Sequence, residues 1–125
     1  MLRVLVGLFT ILLLSVETAY SQVLKAVSPP RRHIVEIRDF GFHPQRTLAA
    51  PGDTVMWINR DVVPHTATAN DRSWDSMELQ EGESWEMIVE NSGLQQYFCE
   101  FHPGMRGISE VRYPRDQDLA HHKQQ

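Results

Sequence analysis

A chain of 125 residues with 42% apolar and 22% charged side chains, 12 basic against 16 acidic, carries a formal charge of −4. It has the size of one globular domain and the wrong sign for a phosphate backbone, so nucleic acid is excluded as a partner. A single cysteine, Cys99, excludes both an internal disulfide and haem attachment through Cys-x-x-Cys-His.

Residues 1–21 read as a secretory signal. Arg3 supplies a positive start, Val4 to Leu14 is almost wholly apolar, and Ala19-Tyr20-Ser21 puts small residues at the cleavage positions. The apolar run stops at Val16, before Glu17, short of the roughly 20 residues a membrane span needs. A mature chain starting at Gln22, with no membrane span, is therefore expected in the periplasm or another extracytoplasmic space. No cysteine follows the run to take a lipid, and losing Arg3 together with Glu17 leaves the net charge unchanged.

Residues 22–32 form an extended lead-in, because Pro29-Pro30 favours polyproline conformation and cannot donate to a ladder. The domain proper is placed at residues 33–113. Its β-type runs are His33 to Arg38, Arg46 to Ala49, Thr54 to Asn59, His65 to Ala69, Ser84 to Val89, Leu94 to Cys99 and Gly107 to Tyr113. Turns come from Pro51-Gly52-Asp53, Glu81-Gly82-Glu83 and Asn91-Ser92-Gly93. Trp85, Met87 and Val89 share one face opposite Glu86 and Glu90, the pattern of a half-buried antiparallel strand. The segment Asn70 to Glu83, polar and acidic around Trp74 and Met77, interrupts this rhythm and is either a loop or a short helical turn. Residues 114–125 form a polar, flexible tail. About 7–8 short strands, with no sustained 3.6-residue period, predict an all-β Greek-key β-sandwich.

The run Cys99-Glu100-Phe101-His102-Pro103-Gly104-Met105 places a thiolate, an imidazole and a thioether in one loop. Soft sulfur selects Cu(I), imidazole suits both copper oxidation states, and two histidines, a cysteine and a weak axial methionine make a blue-copper donor set. The missing histidine is His65, in Val63-Pro64-His65-Thr66, which the fold must bring to the loop. Taken singly, a Cys, a His or a Met is ordinarily core or surface; their conjunction between two strands points to one type 1 copper ion. Metal ligation also explains an exported cysteine without a disulfide partner, and thioether is a poor ligand for zinc. Pro103 restrains the loop, Gly104 is expected to permit the tight geometry that returns Met105, and Pro64 holds His65 in an extended approach. His33, His43 and the tail pair His121-His122 are read as structural or solvated. Trp57, Trp74 and Trp85 are read as core.

On these residues the chain resembles the cupredoxins, type 1 blue copper proteins of the amicyanin and plastocyanin kind, with the short amicyanin-type loop Cys-x2-His-x2-Met. The likeness runs from about Phe40 to Val111 through Phe42-His43-Pro44, Pro51 to Asn59, Pro64-His65 and Tyr97 to Gly107. It implies that His65, Cys99 and His102 form the equatorial plane, that Met105 is the axial contact, and that the Thr66 amide donates to the Cys99 sulfur. Small cupredoxins carry Asn where this chain has Thr66, so a weaker bridge between the two ligand loops is expected. The resemblance further implies that the His102 edge reaches the surface inside an apolar patch of Phe42, Val62, Val63, Pro64, Phe101, Pro103 and Gly104.

The function that follows is a soluble, exported, monomeric one-electron carrier. It cycles Cu(I)/Cu(II) with exchange through His102 and meets transient redox partners such as a c-type cytochrome or a dehydrogenase. The acidic stretch Asp71 to Glu90 would steer it toward a basic partner. Copper handling by delivery, storage or sensing is the alternative use of the same ligands. An enzyme is not expected, because multicopper oxidases and copper nitrite reductases need further histidine clusters and no His-x-His pair occurs.

Overall fold

The structure, a computed structural model, describes residues 29–113. The expected signal, most of the lead-in, the tail and His121-His122 lie outside the described residues. Among the described residues there are eight strands and no helix: β1 (Arg32–Arg38), β2 (Gly41–His43), β3 (Arg46–Ala49), β4 (Thr54–Asn59), β5 (Thr68–Ala69), β6 (Ser84–Ile88), β7 (Gly93–Phe98) and β8 (Arg106–Val111). They form two mixed sheets, ordered β2-β1-β4-β6 and β3-β8-β7-β5. Within each sheet one pair is parallel, β1 with β4 and β3 with β8, and the rest are antiparallel. The all-β sandwich is as the sequence predicts.

Alternation builds the core. Along β4, Val55, Trp57 and Asn59 are buried while Thr54, Met56 and Ile58 are half-exposed, and in the parallel register Val35 and Ile37 of β1 lie beside Trp57 and Asn59. Trp57 sits at the centre, its ring 5.2 Å from Trp74, 5.6 Å from Trp85 and 5.4 Å, edge-on, from Tyr97. Trp74 explains the interruption at 70–83: the segment is neither helix nor strand, but it drives one indole against the core and is stitched down by bridges pairing His65 with Leu79 and Thr68 with Asp75. Tyr97 lies directly over Gly107 on β8, where any Cβ would overlap its ring.

Two of the three expected turns close on a hydrogen bond, Asp53 to Ala50 and Glu83 to Gln80, whereas Asn91 is only a bend and Gly93 already begins β7. Ala50-Pro51-Gly52-Asp53 has Gly52 at φ 92° and an Asp53 amide donating to Ala50 at 3.0 Å, the geometry of a type II turn. The strand expected from His65 to Ala69 contracts to Thr68–Ala69, because His65 makes only an isolated bridge. β2 was not foreseen. It has three residues, and its turn places Asp39 and Phe40 at φ 53° and 56°, where Asn-Gly or Asp-Gly is the usual signal.

At the start of β4, buried Asp53 accepts the Arg31 amide at 2.8 Å, the Ala50 amide at 2.9 Å and the His33 Nε2 proton at 2.7 Å. Burial alone pushes this carboxyl up, but the His33 ring and the two amides outweigh it and hold the group below the ordinary carboxylate range. The folded state therefore binds fewer protons there than the unfolded chain. The resulting stabilisation is full above about pH 4 and is withdrawn as pH falls through the lowered value. Asp53→Asn is expected to cost about 2 kcal/mol at pH 7, with the gap to wild type closing below about pH 4, as measured by urea unfolding across pH.

Candidate metal centre

Cys99 immediately follows β7 and Met105 immediately precedes β8, so the loop is the connection of one antiparallel pair. It is closed by the Cys99 amide donating to Met105 at 3.2 Å and the Met105 amide donating to His102 at 2.8 Å. The second bond makes His102-Pro103-Gly104-Met105 a turn with proline at its second position. Gly104 corrects the sequence expectation: its φ is not left-handed and a Cβ there would meet nothing within 4 Å, so the tight return of Met105 does not depend on glycine.

The other donor arrives on the loop after β4. The buried side chain of Asn59 shapes that loop: its Nδ2 donates to Val63 at 2.8 Å and to Leu79 at 2.9 Å, and its Oδ1 accepts the Asp61 amide at 2.9 Å. Backbone bonds in both directions between His65 and Leu79 then fix the imidazole. His65 and Cys99 are fully buried, Met105 is 5% exposed, and His102 is half-buried.

One atom each of His65, Cys99 and His102 lies within 4.8 Å of the others, the only such cluster of His, Cys, Asp or Glu among the described residues. Cys99 Sγ is 3.6 Å from His65 Nδ1 and 3.7 Å from His102 Nδ1. Bonds of about 2.0 and 2.3 Å to imidazole and thiolate, opened to a trigonal angle, end about 3.7 Å apart. The donors thus fit one trigonally bound ion, and with Met105 beside them the set is that of one type 1 copper. Burial dominates the His65 imidazole and pushes it below its ordinary range, with Asp61 opposing and His102 adding to the effect. The ring is held neutral, as a metal ligand must be.

Thr66 joins the two donor loops. Its amide donates to Cys99 Sγ at 3.4 Å, as the family resemblance implies, and its hydroxyl accepts the Glu100 amide at 2.9 Å. Thr68 donates to Asp75 at 3.1 Å, so the Thr66 proton goes to Thr68 Oγ1 at 2.9 Å. Thr66 therefore does bridge the two loops, through its amide and its hydroxyl. On the outer side Arg72 pairs with Glu100 and lies over the Phe98 ring.

The apolar rim also differs. Phe42 is 3% exposed and packs edge-on against Tyr97, so it belongs to the core. Phe40, which the sequence reading passed over, takes the place: it is 57% exposed, with its ring 5.0 Å from His102 and 5.7 Å from His65. Val62 and Phe101 are exposed as expected. Asp61 was missed too, although a carboxylate four residues before a candidate ligand was a usable signal; its Oδ2 accepts from His65 Nε2 at 2.9 Å. His33 and His43 are engaged by Asp53 and by the Arg38 carbonyl.

No protein-family model matches the chain. It is 25% identical over 79 residues to amicyanin from Paracoccus denitrificans, a match covering 59% of this chain and 60% of that protein. A purple cupredoxin from Nitrosopumilus maritimus superposes with a TM-score of 0.61 at 26% identity, covering 64% of this chain and 99% of the other. The chain has the cupredoxin fold. A copper-containing nitrite reductase from Thermus scotoductus contains the same fold, with a TM-score of 0.62 at 26% identity, covering 71% of this chain but 24% of the enzyme. Among the described residues no helix is long and apolar enough to cross a membrane.

In this chain Thr66→Val keeps the shape and the amide to sulfur but leaves the Glu100 amide without its acceptor. A loss of about 1–3 kcal/mol is expected in metal-free protein, measured by denaturant unfolding.

Proposed function

We propose that this protein is an exported, monomeric one-electron carrier, with His65, Cys99 and His102 as equatorial ligands, Met105 as the axial contact, and exchange through His102. One observation carries the reading: three of the four donors are buried around the Cys99 thiol, and His102 alone is half-exposed, beside an aromatic rim. Bound copper would supply the one-electron couple. The chain supplies everything else. The Thr66 amide directs a hydrogen bond at Cys99 Sγ, Asp61 and the Leu79 backbone orient His65, and the sandwich keeps water from the thiol. A scaffold that fixes its donors before the metal arrives need not rearrange when the charge at the centre changes.

The rim of Phe40, Val62 and Phe101 is small and apolar, as suits brief encounters with redox partners such as a c-type cytochrome or a dehydrogenase. A carrier needs one metal site, and the described residues hold one cluster able to supply it. Export rests on the apolar segment at residues 4–14 and the small residues at 19–21.

Copper-loaded protein is expected to show an intense visible thiolate-to-Cu(II) band that Cys99→Ser abolishes. Colourless wild-type protein would overturn the reading. The same sample should keep its copper through repeated oxidation and reduction; surrender of Cu(I) to an acceptor protein at each cycle would favour copper handling instead.

A further inference from the structure

A carboxylate and a turn outside the donor set converge on both imidazoles. Asp39 and Phe40 are the two central residues of the turn from β1 to β2, and both have left-handed φ. Such turns favour glycine at the second position, because a Cβ is strained there. An aromatic residue in that place works against the turn, and Phe40, 57% exposed, recovers little of the cost by burial. Strain of this kind persists only where surrounding contacts impose it.

Asp61 imposes it. Its Oδ1 accepts the Asp39 amide at 2.9 Å and its Oδ2 accepts the Phe40 amide at 3.1 Å. The same Oδ2 accepts from His65 Nε2 at 2.9 Å. Held in this way, the Phe40 ring stands edge-on to His65 at an interplanar angle of 84° and to His102 at 86°.

We propose that Asp61 is a positioning residue of the metal centre: one carboxylate keeps the His65 proton on Nε2, leaving the Nδ1 lone pair facing Cys99, and pins the turn so that Phe40 shields both imidazoles. The other tautomer would set a nitrogen lone pair against the carboxylate, which has no proton to offer, and would aim an N–H at Cys99 Sγ, 3.6 Å away. A hydrogen bond on the remote nitrogen is what decides which nitrogen meets a metal. The role rests on the copper reading given above, and the first measurement is made without metal so that the two can fail separately.

Nitrogen NMR of metal-free protein is expected to show His65 as the Nε2–H tautomer in wild type and a mixture of tautomers in Asp61→Ala. Asp61→Asn keeps one acceptor oxygen for three donors and serves if the alanine variant does not fold; it should retain the tautomer in part. In copper-loaded protein both variants should have a higher reduction potential than wild type, because a negative charge favouring Cu(II) is gone. Asp61→Ala should bind copper about 10–100-fold more weakly. Phe40→Gly suits the turn and removes the ring: tautomer unchanged, transfer of Cu(I) to a chelator several-fold faster. A wild-type tautomer and potential in both Asp61 variants would overturn the positioning role, and an unchanged transfer rate in Phe40→Gly would overturn the shielding role. Wild-type protein without the thiolate band overturns the copper reading, while the metal-free tautomer still decides the role of Asp61.

Discussion

The amide and hydroxyl of Thr66 tie together the two loops that carry every donor. One loop follows β4 and belongs, through its root, to the first sheet; the other joins β7 to β8 in the second. The first loop also runs into β5, whose Thr68 pairs with Phe98 of β7 next to Cys99, so the ladder already brings the two loops together and Thr66 adds the tie at the donors themselves. Thr66 spans them twice, amide to Cys99 Sγ and hydroxyl to the Glu100 amide, on either side of one peptide unit. The sulfur can neither withdraw along the strand nor rotate away without breaking a bond that has no solvent to replace it. The hydroxyl relay through Thr68 to Asp75 extends the tie into the segment at 70–83, and Trp74 in that segment anchors it on the core.

Burial then divides the donors by task. A buried thiol can be protected from exchange and oxidation, and a buried imidazole is held neutral and available. Of the four, His102 alone reaches the surface. The turn His102-Pro103-Gly104-Met105 makes this possible, because it lets the chain leave the buried sulfur, reach the surface, and return Met105 to the interior within seven residues. The short loop is therefore not just compact: its length permits a single excursion to solvent.

What the sequence disclosed follows the same physics. Arg46 to Ala49 and Thr54 to Asn59 match the observed strands to the residue, since each alternates cleanly between turn signals. The donors were legible because their chemistry is rare in combination. Contacts that depend on where a loop lands were not. Phe42 and Phe40 look alike in sequence, and a turn that the sequence disguises sends one into the core and the other over the imidazoles. The partner of the Thr66 hydroxyl, the Glu100 amide, lies 34 residues away in sequence and no local pattern names it. Asn59 reads as the end of a strand, yet its amide satisfies three backbone groups that no local pattern predicts would meet.

The two ends of β4 show how one device can serve two purposes. Asp53 just before the strand and Asp61 just after it each accept one amide on one oxygen, and a second amide together with an imidazole Nε2 on the other. At the first end the imidazole is His33, with a side chain 22% exposed; its partner Asp53 strengthens the fold in a pH-dependent way. At the second end the imidazole is His65, fully buried, and its remaining nitrogen faces a thiol rather than water. The carboxylate contacts are alike, so the carboxylate alone does not make a ligand of a histidine. The difference is what lies on the far side of the ring, and that is set by Thr66 holding Cys99 in place. A ring that at the first end opens to solvent is, at the second, turned toward sulfur because the second sheet delivers Cys99 to it.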